Sequence, residues 1–273
     1  MMNTPRHWIL RLTLVAAASL AGCQTVQTTR GGEVGVNRSQ SMMVSAADVD
    51  ATATEQYAQI LAEAQKKGAL NHDPAMTARV RRIAQRLIPQ TAVFRDDAPK
   101  WKWEVNVLSS KEVNAWCMPG GKIAVYTGLI EQLKITDDEL AAVMGHEISH
   151  ALREHTRESM SRQELTGIGL SVVEIVTGIP MSGLGQTFAQ SMFVLPNSRQ
   201  NEQEADRIGV ELAARAGYDP RAAVSLWTKM SNLGGDQPPQ WLSTHPSHES
   251  RVKDVTEYSQ RVMPLYERAK AAS

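Results

Sequence analysis

Two histidines four residues apart with a glutamate between them, His146-Glu147-Ile148-Ser149-His150, carry the strongest chemical signal in the chain. On an α-helix, positions i and i+4 stand one above the other, so both imidazoles can reach one zinc ion. Glu147 projects about 100° round the axis from His146, beside the ion rather than onto it. There its carboxylate can take a proton from metal-bound water. The spacing works only on a helix, and the neighbouring residues supply one. Thr136-Asp137-Asp138-Glu139 is a capping box, followed by Leu140, Val143, Met144, Ile148, Ala151 and Leu152 at helical spacing.

A catalytic zinc ion takes three protein ligands and keeps one position open. Glycine three and histidine six residues after the second histidine would place the third ligand on the same segment. Those positions hold Arg153 and Thr156. His155 falls on the apolar face and reads as structural, and Glu154 lies about 12 Å along the axis from His146, too far to share an ion. The ligand must come from a second helix. Asn201-Glu202-Gln203-Glu204-Ala205-Asp206 opens one that runs to Ala216. Glu202 and Asp206 share a face and Glu204 points away. Glu202 is the candidate third ligand, and Asp206 the acceptor for the second N–H of a zinc-bound histidine. Without the histidine pair, these acids would read as a solvated helix start.

His146-Glu147-x-x-His150, followed by Ser198-Arg199-x-x-Glu202-x-x-Ala205-Asp206, resembles the HtpX, CAAX prenyl endopeptidase and Oma family of gluzincin metallopeptidases. Asn114-Ala115 before Pro119-Gly120-Gly121, Gly217-Tyr218-Asp219-Pro220 and Ser243-Thr244-His245-Pro246 extend the resemblance over roughly residues 40–260. It implies an α+β fold, a mostly helical gluzincin domain with a small antiparallel sheet beside the active-site helix. It also implies one Zn2+ per chain and endopeptidase activity on proteins or peptides. In gluzincins an edge strand pairs with extended substrate, which assigns main-chain recognition to residues 114–117, led by Asn114 and Ala115. An interior place for that strand is the competing reading. The Thr-His-Pro loop is expected near the zinc, where His245 has two possible roles. It can donate to the oxyanion of the scissile carbonyl, or occupy the open zinc position and hold the enzyme latent.

The elements around these residues follow from periodicity. Residues 55–67 carry Tyr57, Ile60, Leu61 and Ala64 on a helical stripe, and Asp73-Pro74 starts a second helix through Leu87. Residues 101–108 alternate, and residues 113–117 and 122–126 flank the Pro-Gly-Gly turn as a hairpin, predicting an antiparallel sheet of three or four strands. From Thr127 onward the pattern is helical, with a start at Asp219-Pro220 and a last polar helix over 249–270. Residues 165–195 contain one charge, Glu174, and several glycines. Neither half offers the ~20 apolar residues of a membrane span, so short helices and a mobile loop are expected beside the site.

Composition bounds the remaining choices. The chain has 273 residues, 42% hydrophobic and 21% charged, which excludes a mainly disordered protein. Its 29 basic and 29 acidic side chains leave no excess for binding nucleic acid. The two cysteines build neither a disulfide framework nor a Cys-type zinc module, and Cys117 reads as a free buried thiol.

Residues 1–22 hold Arg6 and Arg11, no acid, and an apolar run over 12–21 too short to span a bilayer. Leu20-Ala21-Gly22-Cys23 resembles the bacterial lipobox. The chain accordingly divides into a lipoprotein signal peptide (1–22), a lipidated tether (23–41) reaching about 60 Å if extended, and a zinc metallopeptidase domain (42–273). The resemblance implies a palmitate-type lipid on Cys23, and Gln24 favours the outer membrane of a Gram-negative cell. The chain thus looks like the periplasmic lipoprotein members of the family. It is expected on the periplasmic face of the outer membrane, acting on unfolded or misassembled envelope proteins. The rival is a holdase or assembly factor for outer-membrane proteins that binds clients without cutting. Glu147 argues against it, because a binding module needs no general base.

Overall fold

The computed structural model describes residues 24–166, 183–233, 240–246 and 249–272. Cys23 and the signal-like run before it lie outside the described residues. The chain opens with a short antiparallel ribbon, β1 (Gln24–Val26) against β2 (Gln40–Met42), with Gln24 opposite Met42. Helices α1 (Ala46–Lys66) and α2 (Pro74–Leu87) follow. Helix α1 begins earlier than its apolar stripe suggests, because Ser45 caps it and Val49 and Ala53 extend its buried face. Asp73 caps α2 by accepting from the amides of Ala75 and Met76, and Pro74 takes the first turn, where a missing donor costs nothing.

Strands β3 (Glu104–Leu108), β4 (Ala115–Met118) and β5 (Lys122–Tyr126) form a sheet in the order β3-β5-β4. The β4–β5 hairpin matches expectation, with Ala115 opposite Val125 and a turn through Gly120 and Gly121 at φ 73° and 82°. Strand β3 instead runs parallel to β5, so the sheet is mixed rather than wholly antiparallel. Alternation over residues 101–108 reports a half-buried strand, but it is the same pattern for either direction. Strand β4 pairs with β5 alone among the described residues, which makes it an edge. The Tyr126 amide donates to the Asn114 carbonyl at 3.1 Å. The ladder alternation then turns the backbone groups of Ala115 and Cys117 toward the unpaired side.

Both faces of this sheet are covered. Ala115, Cys117, Ile123 and Val125 join the main core, whereas Trp116, Met118 and Ala124 join a second cluster with Tyr57, Met160 and Phe188. Cys117 is a free, buried thiol, as expected.

The remaining helices are α3 (Thr127–Leu133), α4 (Asp137–Leu152), α5 (His155–Thr166), α6 (Leu184–Phe193), α7 (Arg199–Arg215), α8 (Ala222–Ser231), α9 (Gln240–Thr244) and α10 (Glu249–Ala271). Thr136 and Glu139 close the capping box of α4 in both directions. Every residue of α4 from 139 to 152 is buried, since the helix packs against β4, α2, α7 and α8. Helix α8 starts at Ala222 rather than directly after Pro220, because the Asp219 carboxylate accepts from the Arg221 amide. Helix α6 realises one of the short helices expected within 165–195, while residues 167–182 lie outside the described set. Among the described residues no helix is long and apolar enough to cross a membrane.

The stretch read as a tether is packed onto the domain instead. Val34 and Val36 enter the main core, and the Val34 amide donates to the Glu211 carboxylate at 3.1 Å. Arg38 and Gln40 reach into a buried cluster of charges on α5 and α7. These anchors fall at irregular intervals and act largely through polar side chains, so they leave no helical or strand period in the sequence.

Candidate metal centre

Helix α4 presents His146 and His150 with their Nε2 atoms 3.0 Å apart. Helix α7 crosses it and brings Glu202 between them, Oε2 3.6 Å from His146 Nε2 and Oε1 3.4 Å from His150 Nε2. His245, just beyond α9, completes a buried set whose ligand atoms all lie within 4.8 Å of one another.

The protons on these rings are assigned by their partners. His146 Nδ1 lies 3.0 Å from Asp206 Oδ1. A carboxylate only accepts, so a proton is on Nδ1, and in the neutral ring that a ligand must be the Nε2 lone pair is bare. His155 Nε2 lies 3.2 Å from Glu204 Oε2, which places its proton there and leaves its Nδ1 as an acceptor. That Nδ1 is 2.9 Å from His150 Nδ1, so His150 is the donor and its own Nε2 is bare as well. Two lone pairs therefore face each other at 3.0 Å. Neither carboxylate oxygen of Glu202 receives a hydrogen bond of sound geometry, although Arg251 Nη1 stands 2.6 Å from Oε2. Such a set of lone pairs could hold a metal ion. Two imidazoles and one carboxylate are the donor set that suits zinc.

Electrostatics treat the two rings differently. Burial depresses the His150 pKa well below the ordinary histidine value, with His146 and His155 adding to it, and the ring is neutral as a ligand must be. Burial works against His146 as well, but Asp206 and Glu202 raise it overall. Burial alone would raise Asp206. Arg251 and His146 overcome that and hold the carboxyl well below the usual carboxylate range. Arg251 grips Asp206 through Nε at 2.7 Å and Nη2 at 2.8 Å, donates through Nη1 to the Pro246 carbonyl, and lies over the Trp227 ring.

Glu147 stands apart from the ligand set, as its helical phase requires. Its Oε1 accepts from Trp241 Nε1 at 2.7 Å, and burial pushes its pKa up to about 7. His245 stacks on Trp241 with ring centres 4.7 Å apart. Its Nδ1 is 3.0 Å from the Trp241 carbonyl and 2.9 Å from the Thr244 hydroxyl, which can accept or donate, so these contacts fit either tautomer. Burial lowers its pKa to about 3. Its Nε2 lies 3.6 Å from Glu147 Oε1, and one of its ring nitrogens belongs to the buried ligand set.

Asn114 and Ala115 line a cleft of about 340 Å³ together with Trp116, Glu147, His150 and His245. The strand chosen for substrate is thus at the sheet edge and beside the site. The Trp241 amide donates to the Val113 carbonyl at 3.3 Å, so α9 lies against the approach to that edge.

Glu204 does point away from the metal set, but it is not solvated. It accepts from Arg38, Arg153 and His155. Burial alone would raise its pKa, yet these partners bring it down to about 2. Three residues at the site were not legible as functional: His155, Trp241 and Arg251. His155 carried a signal, a polar ring on an otherwise apolar face. Arg251 carried none, since a lone arginine on a polar helix reads as solvated.

A buried pair of helix-borne histidines, a glutamate from a second helix and an unbound glutamate beside them define a gluzincin-type metallopeptidase site. Residues 74–259 match the model of peptidase family M48, and the chain belongs to that family. Relatives include the mitochondrial metalloendopeptidase OMA1 of Arabidopsis thaliana, 42% identical over 152 residues, covering 55% of this chain and 30% of that protein. The OMA1 of Saccharomyces cerevisiae is 29% identical over 180 residues, covering 63% and 51%. The beta-barrel assembly-enhancing protease of Escherichia coli is 28% identical over 207 residues, covering 72% and 41%. The chain thus spans between 30% and 51% of the length of these relatives.

Proposed function

We propose that this chain is a zinc-dependent endopeptidase acting on proteins or peptides in the periplasm. One observation carries the reading: Glu147 is held by Trp241 beside a buried His146, His150 and Glu202 set that could hold a metal ion. When bound there, zinc supplies Lewis-acid polarisation of the scissile carbonyl and acidifies water. Glu147 takes the proton of the attacking water and returns it to the leaving amine. A pKa lifted by burial suits both halves of that transfer. Asp206 and Arg251 keep His146 oriented and its ligating nitrogen bare. Ala115 and Cys117 offer unpaired main-chain groups to an extended substrate. His245, the fourth member of the buried set, is the latch candidate: it would help hold the metal in the resting enzyme and make way for substrate.

Our reading of the setting rests on the lipobox. Cys23 carries a palmitate-type lipid and holds the domain on the periplasmic face of the outer membrane. The substrates are unfolded or misassembled envelope proteins, a choice supported by one relative's name, the beta-barrel assembly-enhancing protease. A casein digest with wild type beside Glu147→Gln tests the activity. The variant should lose cleavage and keep about one zinc per chain, since Glu147 lies outside the ligand set. Cleavage by neither protein with zinc bound returns the holdase reading, and equal cleavage by both removes Glu147 as the general base. Fractionation of Cys23→Ser tests the anchor, which is wrong if the processed variant stays as firmly membrane-bound as wild type.

A further inference from the structure

We infer that His155 is a positioning residue for the metal ligand His150, and that Arg38 of the N-terminal segment holds it in place through Glu204. The inference rests on the zinc reading of His146, His150 and Glu202. A metal-binding imidazole needs its second nitrogen fixed, and among the described residues no carboxylate or carbonyl does this for His150. Its partner is another imidazole, His155, with the two Nδ1 atoms 2.9 Å apart. A neutral imidazole can accept at Nδ1 only if its proton is on Nε2. Glu204, 3.2 Å from His155 Nε2, enforces that tautomer. His155 is 1% exposed, so no bulk water competes for its two contacts.

Glu204 is itself oriented from two directions. Arg153, at the end of the metal helix, donates to Oε2 at 2.9 Å. Arg38 donates to Oε1 at 2.6 Å and spans to Glu158 at 2.6 Å. Gln40 locks the far side, donating to Glu158 at 2.9 Å and to the Arg153 carbonyl at 2.8 Å. A continuous chain, Arg38 to Glu204 to His155 to His150, therefore links the segment before α1 with the metal. A purely structural cluster would not end on the free nitrogen of a ligand.

The test measures zinc affinity of the zinc-loaded protein by competition with a chelator, and the visible spectrum after cobalt substitution. Loss of an outer partner of a ligand weakens metal binding by about 10–100-fold. His155→Leu fills the space without an acceptor and should show that loss with an altered cobalt spectrum. His155→Asn offers an oxygen near the Nδ1 position and should recover part of the affinity. Arg38→Ala should weaken zinc by a smaller factor, up to about tenfold, with the cobalt spectrum shifted in the same direction. If His155→Leu does not fold, His155→Asn and Arg38→Ala carry the comparison. Wild-type zinc affinity in folded His155→Leu, or equal losses in His155→Leu and His155→Asn, overturns the positioning role. Unchanged affinity in Arg38→Ala overturns the N-terminal link. A wild type that binds no zinc overturns the inference together with the metal reading.

Discussion

Gly145 and Gly209 meet backbone to backbone where the histidine helix crosses the glutamate helix. A Cβ on Gly145 would stand 2.8 Å from the Gly209 carbonyl oxygen, and one on Gly209 would stand 2.8 Å from the His146 amide nitrogen. Neither glycine has a positive φ; the requirement is closeness. Gly145 directly precedes the first metal ligand, and Gly209 lies about two turns beyond Glu202. The distance between the two helices at this crossing is therefore the distance between imidazoles and carboxylate.

Gly145→Ala should push the helices apart and loosen both fold and metal. Overpacking of this kind costs about 1–3 kcal/mol. Thermal melting and zinc competition would fall together. A variant with a lower melting temperature and unchanged zinc affinity would show that the crossing does not set the site.

Arg251→Met should destabilise the domain by about 3–5 kcal/mol, because it strands the buried Asp206 carboxylate and removes the clamp on the Pro246 carbonyl. Urea unfolding measures it directly. A loss under about 1 kcal/mol would mean that the arginine is no more than a surface ion pair.

His245→Ala should raise basal cleavage while leaving zinc content near one per chain, since His146, His150 and Glu202 remain. Steady-state kinetics on an unfolded substrate decide it. A fall in turnover with zinc retained would instead return the oxyanion role.

Acid sensitivity should trace in part to Glu158. Burial raises its pKa, but Arg38 and Gln40 outweigh burial and leave it below the ordinary glutamate value. A carboxyl lowered in the folded state stabilises above its unfolded pKa, and that stability fades as pH drops toward the folded value. Urea midpoints between about pH 6 and pH 3 should therefore fall more steeply for wild type than for Glu158→Gln. Parallel profiles would remove Glu158 from the account.

What could be read in the sequence was whatever depends on local spacing. The capping box at Thr136, the histidine pair and the phase of Glu202 against Asp206 are properties of single helices, and each appears as expected. The parallel pairing of β3 with β5 and the docking of residues 24–42 were hidden, because they depend on what lies opposite in space. Arg251 shows the difficulty most plainly. Its neighbours Lys253, Asp254 and Glu257 make its helix look solvated, yet the arginine is 1% exposed and bound to a partner in a helix far back along the chain.

The ribbon at the start of the chain changes what a lipid on Cys23 would do. A loose tether lets an enzyme sweep a volume and meet substrates from any side. Here Gln24 already belongs to β1, and β1 is bound to β2, which leads straight into the charge cluster under the metal. With the acyl group proposed on Cys23, the anchor becomes a rigid mount. The domain would ride close to the bilayer surface, at a distance set by the ribbon rather than by a long loose chain. An enzyme so anchored would reach only the chains that pass close to the membrane surface.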